Sequence, residues 1–227
     1  MELPDDYLLR EVRFPELQEL LDSYASTGWI FTDTPEEAGP ALQAYVRHAV
    51  NTPGLLDTVI SEIDDLLHAG LFSDEIADDV DLLPHINPPA GRSVEQCLAL
   101  IRDHLDRIRN GGAYEQSALP LTDWEWNKRF YELGQLLGAY FHQYFSQEYG
   151  SHKAALDDFL SGSSEEAQQQ AARDIDRLLS LVGTDSELNR VTKVLGLWVY
   201  PPEGVSLRQW LTDMQYIITH HLRTGTS

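Results

Sequence analysis

Eight histidines and 37 carboxylates are the residues of this 227-residue chain that could bind a metal or transfer protons. Two ligands of one ion must lie about one helical turn apart, as in His-x3-His or Glu-x2-His. His220 and His221 are adjacent, so on a helix they point about 100° apart. Four further histidines have no partner at either spacing: His48, His68, His85 and His104. We therefore expect no metal site.

Nucleophilic and phosphate-binding signatures are also missing. The single cysteine, Cys97, shares an apolar helical face with Val94, Leu98 and Ile101, which favours a small buried side chain over a catalytic thiol. His142, in the stretch YFHQ, is interpreted as a packed histidine rather than a general base. Glycine-rich phosphate loops and Cys-x2-Cys pairs do not occur. The sequence thus predicts a protein that is not an enzyme and has no cofactor.

Helical periodicity predicts the elements that carry these residues. Apolar side chains recur every three or four positions, and no alternating strand pattern bounded by turns appears. Ser or Thr followed by Glu or Gln three residues later marks five helix starts, beginning with Thr34, whose helix is expected over 35–50. A closing helix of the first half is expected to end at Asn110. The other four starts are Ser93, Ser163, Thr184 and Ser206. The fold class predicted is all-α.

Two stretches occur twice. FPELQELLDSY, 14–24, is repeated as FYELGQLLGAY, 130–140, and PPAGRSVEQCL, 88–98, is repeated as PPEGVSLRQWL, 201–211. The glycine- and proline-containing segment 110–122 interrupts the helical pattern between the copies. We therefore predict two tandem helical-bundle units, 1–112 and 113–227, of about five helices each and with the same topology.

The net charge of −21 is the strongest compositional signal. Residues 1–112 carry 22 acidic and seven basic side chains, which gives −15 for the first unit. Such a field repels nucleic acid and anionic membranes and accelerates encounter with a basic partner. Two acidic groups are candidate partner-binding residues in this unit: Asp64 and Asp65, and then Asp74, Glu75, Asp78, Asp79 and Asp81. No apolar run reaches 18 residues and the first residues are acidic, so a cytoplasmic protein without a membrane span or secretory signal is expected.

The second repeat resembles the small helical immunity proteins of bacterial contact-dependent growth inhibition systems. The resemblance spans about 126–222, and the first repeat would be a diverged copy. Tyr144 stands where that family usually has an acidic residue after His-Gln, and the first repeat has Cys97 in place of Trp210. The matching residues are Phe130, Leu133, Leu136, Leu137, Gly138, Tyr140, Phe141, His142 and Gln143 at the start, and Pro201, Gly204, Ser206, Trp210 and Leu211 at the end.

This resemblance implies a cytoplasmic protein that binds and neutralises a cognate toxin domain without catalysis. Many such toxins are nucleases, whose basic surfaces would complement an acidic immunity protein. Phe141, His142 and Gln143 occur only in the second repeat and are further candidates for partner contact. Contact through the acidic first unit remains the other hypothesis, and the pattern carries no signal for an oligomeric state.

Two alternatives to immunity stay open at this point. Tandem amphipathic helices would serve equally well in a scaffold or adaptor that binds a non-toxin protein, and an acidic helical enzyme is the third reading. A ligand-binding box of aromatic residues is less favoured than core packing, because the tryptophans lie at helix starts and on helix faces. The tryptophans expected in the core are Trp124, Trp126, Trp198 and Trp210.

Overall fold

The computed structural model describes residues 14–70 and 86–225, with side chains as far as Arg223. The acidic stretch with Asp74, Glu75, Asp78, Asp79 and Asp81 lies outside the described residues. Within them the chain is all-α, as predicted, and β-structure is limited to one isolated bridge between Ile30 and Asn87. The helices are α1 Pro15–Ala25, α2 Pro40–Ala49, α3 Leu55–Ala69, α4 Val94–Arg109, α5 Asp123–Arg129, α6 Tyr131–Tyr140, α7 Phe145–Glu148, α8 His152–Gly162, α9 Glu165–Leu181, α10 Asp185–Val194 and α11 Leu207–Gly225.

The chain divides into two compact units, 1–125 and 126–227. The glycine- and proline-containing segment 110–122, where the sequence pattern places the boundary, lies within the first unit. Its end is held through Glu125, whose carboxylate accepts the amides of Leu121 and Thr122 and two hydrogen bonds from Arg47 of α2. The side chain of Trp124 is also buried in the core of the first unit.

In the first unit, α1 packs against α2 and α3, and α3 packs against α4. The helix expected over 35–50 begins only at Pro40. Thr34 still accepts a hydrogen bond from the Glu37 amide, but a residue that precedes proline is disfavoured in the helical conformation. Gly39 is accordingly extended and becomes the N-cap.

Of the other four predicted helix starts, three are confirmed and one is displaced. Ser93 and Gln96 form a complete capping box, in which each side chain bonds the backbone amide of the other residue. Thr184 and Ser206 each accept the amide three residues later. The start predicted at Ser163 is displaced by one residue, because Ser164 is the N-cap of α9.

In the second unit, α6 packs against α8 and α9, and α11 packs against α8, α9 and α10. The largest fully buried side chains of this core are Trp126, Phe130, Phe141 and Phe159. Burial of an aromatic side chain of this size contributes about 2–3 kcal/mol, so these rings account for much of the unit's stability.

A buried carboxylate lies at the start of the first repeat helix in both units. Glu62 of α3 accepts the Leu17 amide of α1 at 2.7 Å, and Asp174 of α9 accepts the Leu133 amide of α6 at 3.4 Å. The first amides of a helix have no partner within the helix, and a negative charge is favourable at that end. Burial nevertheless raises the pKa of both carboxyls, since these hydrogen bonds only partly offset the loss of solvent.

This geometry predicts how Asp174 couples stability to pH. Its pKa is raised on folding, so the folded state binds more protons than the unfolded state, and the contribution of Asp174 to stability decreases as pH rises from about 4 through the folded pKa. We expect the stability of the wild type relative to Asp174→Asn to fall over that range. Urea titration read by hydrogen exchange of α6 and α9 measures it. Asp176→Asn, an exposed change on the same helix, is the matched control.

Candidate functional site

The turn that follows α6 contains Phe141, His142 and Gln143, which the sequence analysis singles out. Phe141 is fully buried, with its ring centroid 5.1 Å from that of Trp210 and 5.8 Å from that of Phe145. It therefore belongs to the core and has no surface to offer a partner. Its role is to fix the turn on which its neighbours are exposed.

His142 is held in one orientation by both of its ring nitrogens. The Tyr144 amide donates to Nδ1 at 3.0 Å, and Nε2 lies 3.1 Å from the Glu148 carboxylate. Because Nδ1 accepts a hydrogen bond, the ring proton is on Nε2 and is donated to Glu148. The imidazole thus closes the loop between α6 and α7, and Gln143 is exposed at its tip.

A second segment, 196–200, runs beside this turn. It leaves α10 at Gly196, which has a φ of +90°, and the Trp198 amide then donates to the Phe141 carbonyl at 2.9 Å. The Tyr200 carbonyl accepts a hydrogen bond of 2.9 Å from His152 Nε2. His152 is the first residue of α8. Two elements of the core therefore fix this segment.

Side chains of this segment alternate between the core and solvent. Leu197 and Val199 pack against the core of the second unit, whereas Trp198 and Tyr200 are 69% and 87% exposed. The same short segment therefore carries both exposed rings. Tyr144, 53% exposed, lies on the neighbouring turn. We call Tyr144, Trp198 and Tyr200 the aromatic surface.

The sequence prediction that Trp198 is a core residue was wrong, whereas Trp124, Trp126 and Trp210 are buried as expected. The error came from assigning Trp198 to a helical face. Leu197 to Tyr200 are all hydrophobic and are followed by two prolines, so the sequence marks the end of the helix but not which of these side chains is exposed.

Asp64 and Asp65, the other candidates within the described residues, lie on α3 of the first unit. Asp64 is already paired, since Arg102 donates to both of its oxygens at 3.0 and 3.3 Å. Asp65 is exposed. Both residues belong to the first unit, whereas the turn at Phe141–Gln143 belongs to the second.

The groups with potential for catalysis have structural partners. Cys97 is buried, and burial raises its pKa to about 11, which disfavours the reactive thiolate. His104 donates to the Thr34 carbonyl at 2.7 Å and accepts from Arg107 at 2.8 Å, so both ring nitrogens are occupied. Among the residues that the structure describes, no group of three or more His, Cys, Asp or Glu is arranged to hold a metal ion.

Comparison with known protein families gives a match for the part of the chain that contains the aromatic surface. Residues 129–218 match the family model described as CdiI immunity protein. This segment is therefore similar to that family. The immunity segment covers 90 of the 227 residues, from the end of α5 into α11. No curated protein and no solved structure gives a significant match to the chain.

The immunity segment agrees with the resemblance drawn from the sequence over α6 to α11. The core residues of this segment include Phe141 and Trp210, whose rings are in contact. The segment also contains Tyr144, Trp198 and Tyr200. The first unit lies outside the matched residues. Among the helices described, none is both long enough and apolar enough to cross a membrane.

Proposed function

We propose that this protein binds a cognate bacterial toxin domain and neutralises it, acting in the cytoplasm and without catalysis of its own. The observation that carries the proposal is the match of residues 129–218 to the CdiI immunity protein family. The scaffold or adaptor reading would account for the helices equally well, but not for that match.

The toxin domain is proposed to be basic, as a nuclease would be. The net charge of −21 supports this, and it is concentrated in the first unit: residues 1–125 carry 25 acidic and seven basic side chains, and residues 126–227 carry 12 and nine. The units thus have net charges of −18 and −3. Charge of this size accelerates encounter with a basic partner mainly at low salt. The mode of inhibition proposed is occlusion of the active site.

We also propose that the two units arose by duplication. The sequence repeats support this, as does a common set of helix contacts, in which the first helix packs against the second and third repeat helices and the third packs against the last. The buried carboxylates Glu62 and Asp174, each bound to the amide of an equivalent leucine, are a further common feature.

The proposed function predicts growth rescue. The proposal expects a large exported protein to be encoded immediately upstream of this gene, and the C-terminal domain of that protein is the probe. Expression of that domain in a sensitive bacterium should stop growth, and co-expression of the full chain should restore growth and yield a stable 1:1 complex. If the chain restores no growth and binds no such domain, the proposal is wrong and the adaptor hypothesis is preferred.

The same purified proteins test the charge of the partner. We expect the association rate to fall at least tenfold between about 50 and 300 mM salt, because screening shortens the range of the acidic field. A rate that is independent of salt would contradict a basic toxin surface while leaving immunity intact.

A further inference from the structure

We propose that the aromatic surface, Tyr144, Trp198 and Tyr200, is the site at which the toxin domain binds, through arginine and lysine side chains. This inference rests on the proposed function and identifies the residues through which the toxin domain is bound. The turn and loop that form this surface lie within residues 129–218, which match the immunity family. The residues that recognise a toxin are therefore sought first within that segment.

The exposure of these three rings has no explanation within the second unit. Trp198 and Tyr200 are large apolar side chains that the backbone holds in water, at 69% and 87% exposure. Trp and Tyr are the residues most enriched among those that dominate binding energy at interfaces, because they bury a large area at little cost in side-chain entropy. Their placement therefore favours a partner that covers them.

The backbone that carries the rings is also hydrogen-bonded to the rest of the second unit. The Trp198 amide is bonded to the Phe141 carbonyl, and the Tyr200 carbonyl is bonded to His152. Tyr144 follows His142, whose ring binds the Tyr144 amide and Glu148. A surface fixed in this way loses little conformational freedom on binding, which increases affinity.

The carboxylates in the turn and the loop favour a cationic partner, and the nearby Lys153 is itself paired with Asp157. The turn 141–150 and the loop 195–206 contain two acidic residues, Glu148 and Glu203, and neither segment contains Lys or Arg. Glu148 is about half exposed and Glu203 is exposed. Aromatic faces attract guanidinium and ammonium groups, and carboxylates beside them pair with the same cations. Both features suit the arginine- and lysine-rich surface of a toxin that binds a phosphate backbone.

Other exposed aromatic residues provide matched controls. Tyr131, 58% exposed, is the first residue of α6, at the opposite end of that helix from the turn that carries Tyr144. Tyr216, 67% exposed, lies on α11 with its ring beside His220. Neither residue belongs to the turn or the loop, so their replacement removes exposed aromatic area without altering the aromatic surface.

The test measures binding of the full chain to the upstream-encoded toxin domain. Trp198→Ala and Tyr200→Ala should each weaken binding at least 30-fold, and Tyr144→Ala at least fivefold, because truncation of a central aromatic contact has effects of this size. Trp198→Phe should retain part of the affinity. Tyr131→Ala and Tyr216→Ala should change the dissociation constant less than threefold. Hydrogen exchange of α6 and α11 in each variant verifies that the second unit remains folded.

The outcomes separate this inference from the proposed function. If the wild type does not bind the toxin domain, both fail. If the wild type binds and the three aromatic variants, still folded, bind equally well, the aromatic surface is not the contact while the immunity function stands. If Trp198→Ala instead converts a dimer of the free protein to a monomer without weakening toxin binding, the surface is an interface between two copies and the inference is overturned.

Discussion

Replacement of Arg47 by alanine is expected to destabilise the first unit by about 3–5 kcal/mol, the usual cost of removing one partner of a buried ion pair. The side chains of Arg47 and Glu125 are only 8% and 10% exposed, and two hydrogen bonds of 2.7 and 3.1 Å join them. Without the guanidinium, the Glu125 carboxylate would remain buried with no opposing charge.

The carboxylate of Glu125 also organises the segment that precedes α5. One of its oxygens accepts the amides of Leu121 and Thr122, both at 2.9 Å. Burial by itself would raise the pKa of Glu125, but the hydrogen bonds from Arg47 and from these amides outweigh it and lower the pKa. Loss of Arg47 should therefore also loosen the segment 115–125, which hydrogen exchange during urea unfolding would detect.

An exposed pair of the same chemistry provides the control. Arg102 and Asp64 are also joined by two hydrogen bonds, but their side chains are 33% and 49% exposed. Solvent screens such pairs, so Arg102→Ala should leave the unfolding midpoint of the first unit almost unchanged. The double variant Arg47→Met with Glu125→Gln should lose less stability than Arg47→Ala, because it leaves no unpaired charge. Equal losses for Arg47→Ala and Arg102→Ala would contradict this account.

Local patterns in the sequence were sufficient to predict the helices but not the limits of the first unit. Capping side chains at Ser93, Thr184 and Ser206 act within four residues, and a single sequence contains all the information that they need. The contact between Arg47 and Glu125 joins residues 78 positions apart. Neither residue has a spacing that signals it, so the sequence pattern places a boundary in 110–122, whereas the two compact units divide after Glu125.

The candidate site shows the same division between local and long-range information. The sequence singled out the turn at Phe141–Gln143 as specific to one repeat, and that turn does support the aromatic surface. The sequence did not reveal that Phe141 is fully buried or that Trp198 is exposed, because both facts depend on how the segment 196–200 packs against the turn. Side-chain direction in a loop is set by such long-range hydrogen bonds rather than by periodicity.

One close contact between backbones sets the path of that segment. Gly138 of α6 and Gly196 approach so closely that a Cβ atom built on Gly196 would lie 2.7 Å from the Gly138 Cα. The first repeat has Asp22 at the position that aligns with Gly138, so this approach is a feature of the second unit. Small residues are thus required where the loop that carries the aromatic surface leaves α10.

Replacement of Gly196 by alanine is therefore expected to destabilise the second unit by about 3 kcal/mol, from two costs that add. A φ of +90° is strained for any residue with a Cβ, at about 1–2 kcal/mol, and the clash with rigid helix backbone adds about 1–3 kcal/mol. Urea unfolding read by hydrogen exchange of α6 and α10 measures the loss. Because the Trp198 amide lies two residues further on, the same change should displace the aromatic surface and weaken toxin binding at least tenfold.

Substitutions at two other glycines distinguish the cost of backbone strain from the cost of the clash. Gly204 also has a positive φ, +80°, but a Cβ there would meet nothing within 4 Å, so Gly204→Ala should cost only the strain, about 1 kcal/mol. Gly138→Ala would place a Cβ no closer than 3.8 Å to its neighbours and should be neutral or stabilising, since alanine is favoured over glycine within a helix by about 1 kcal/mol. If Gly196→Ala cost no more than Gly204→Ala, the contact with Gly138 would not constrain the loop. In that case the fixed position of Trp198 would have to depend on its hydrogen bond to Phe141 alone.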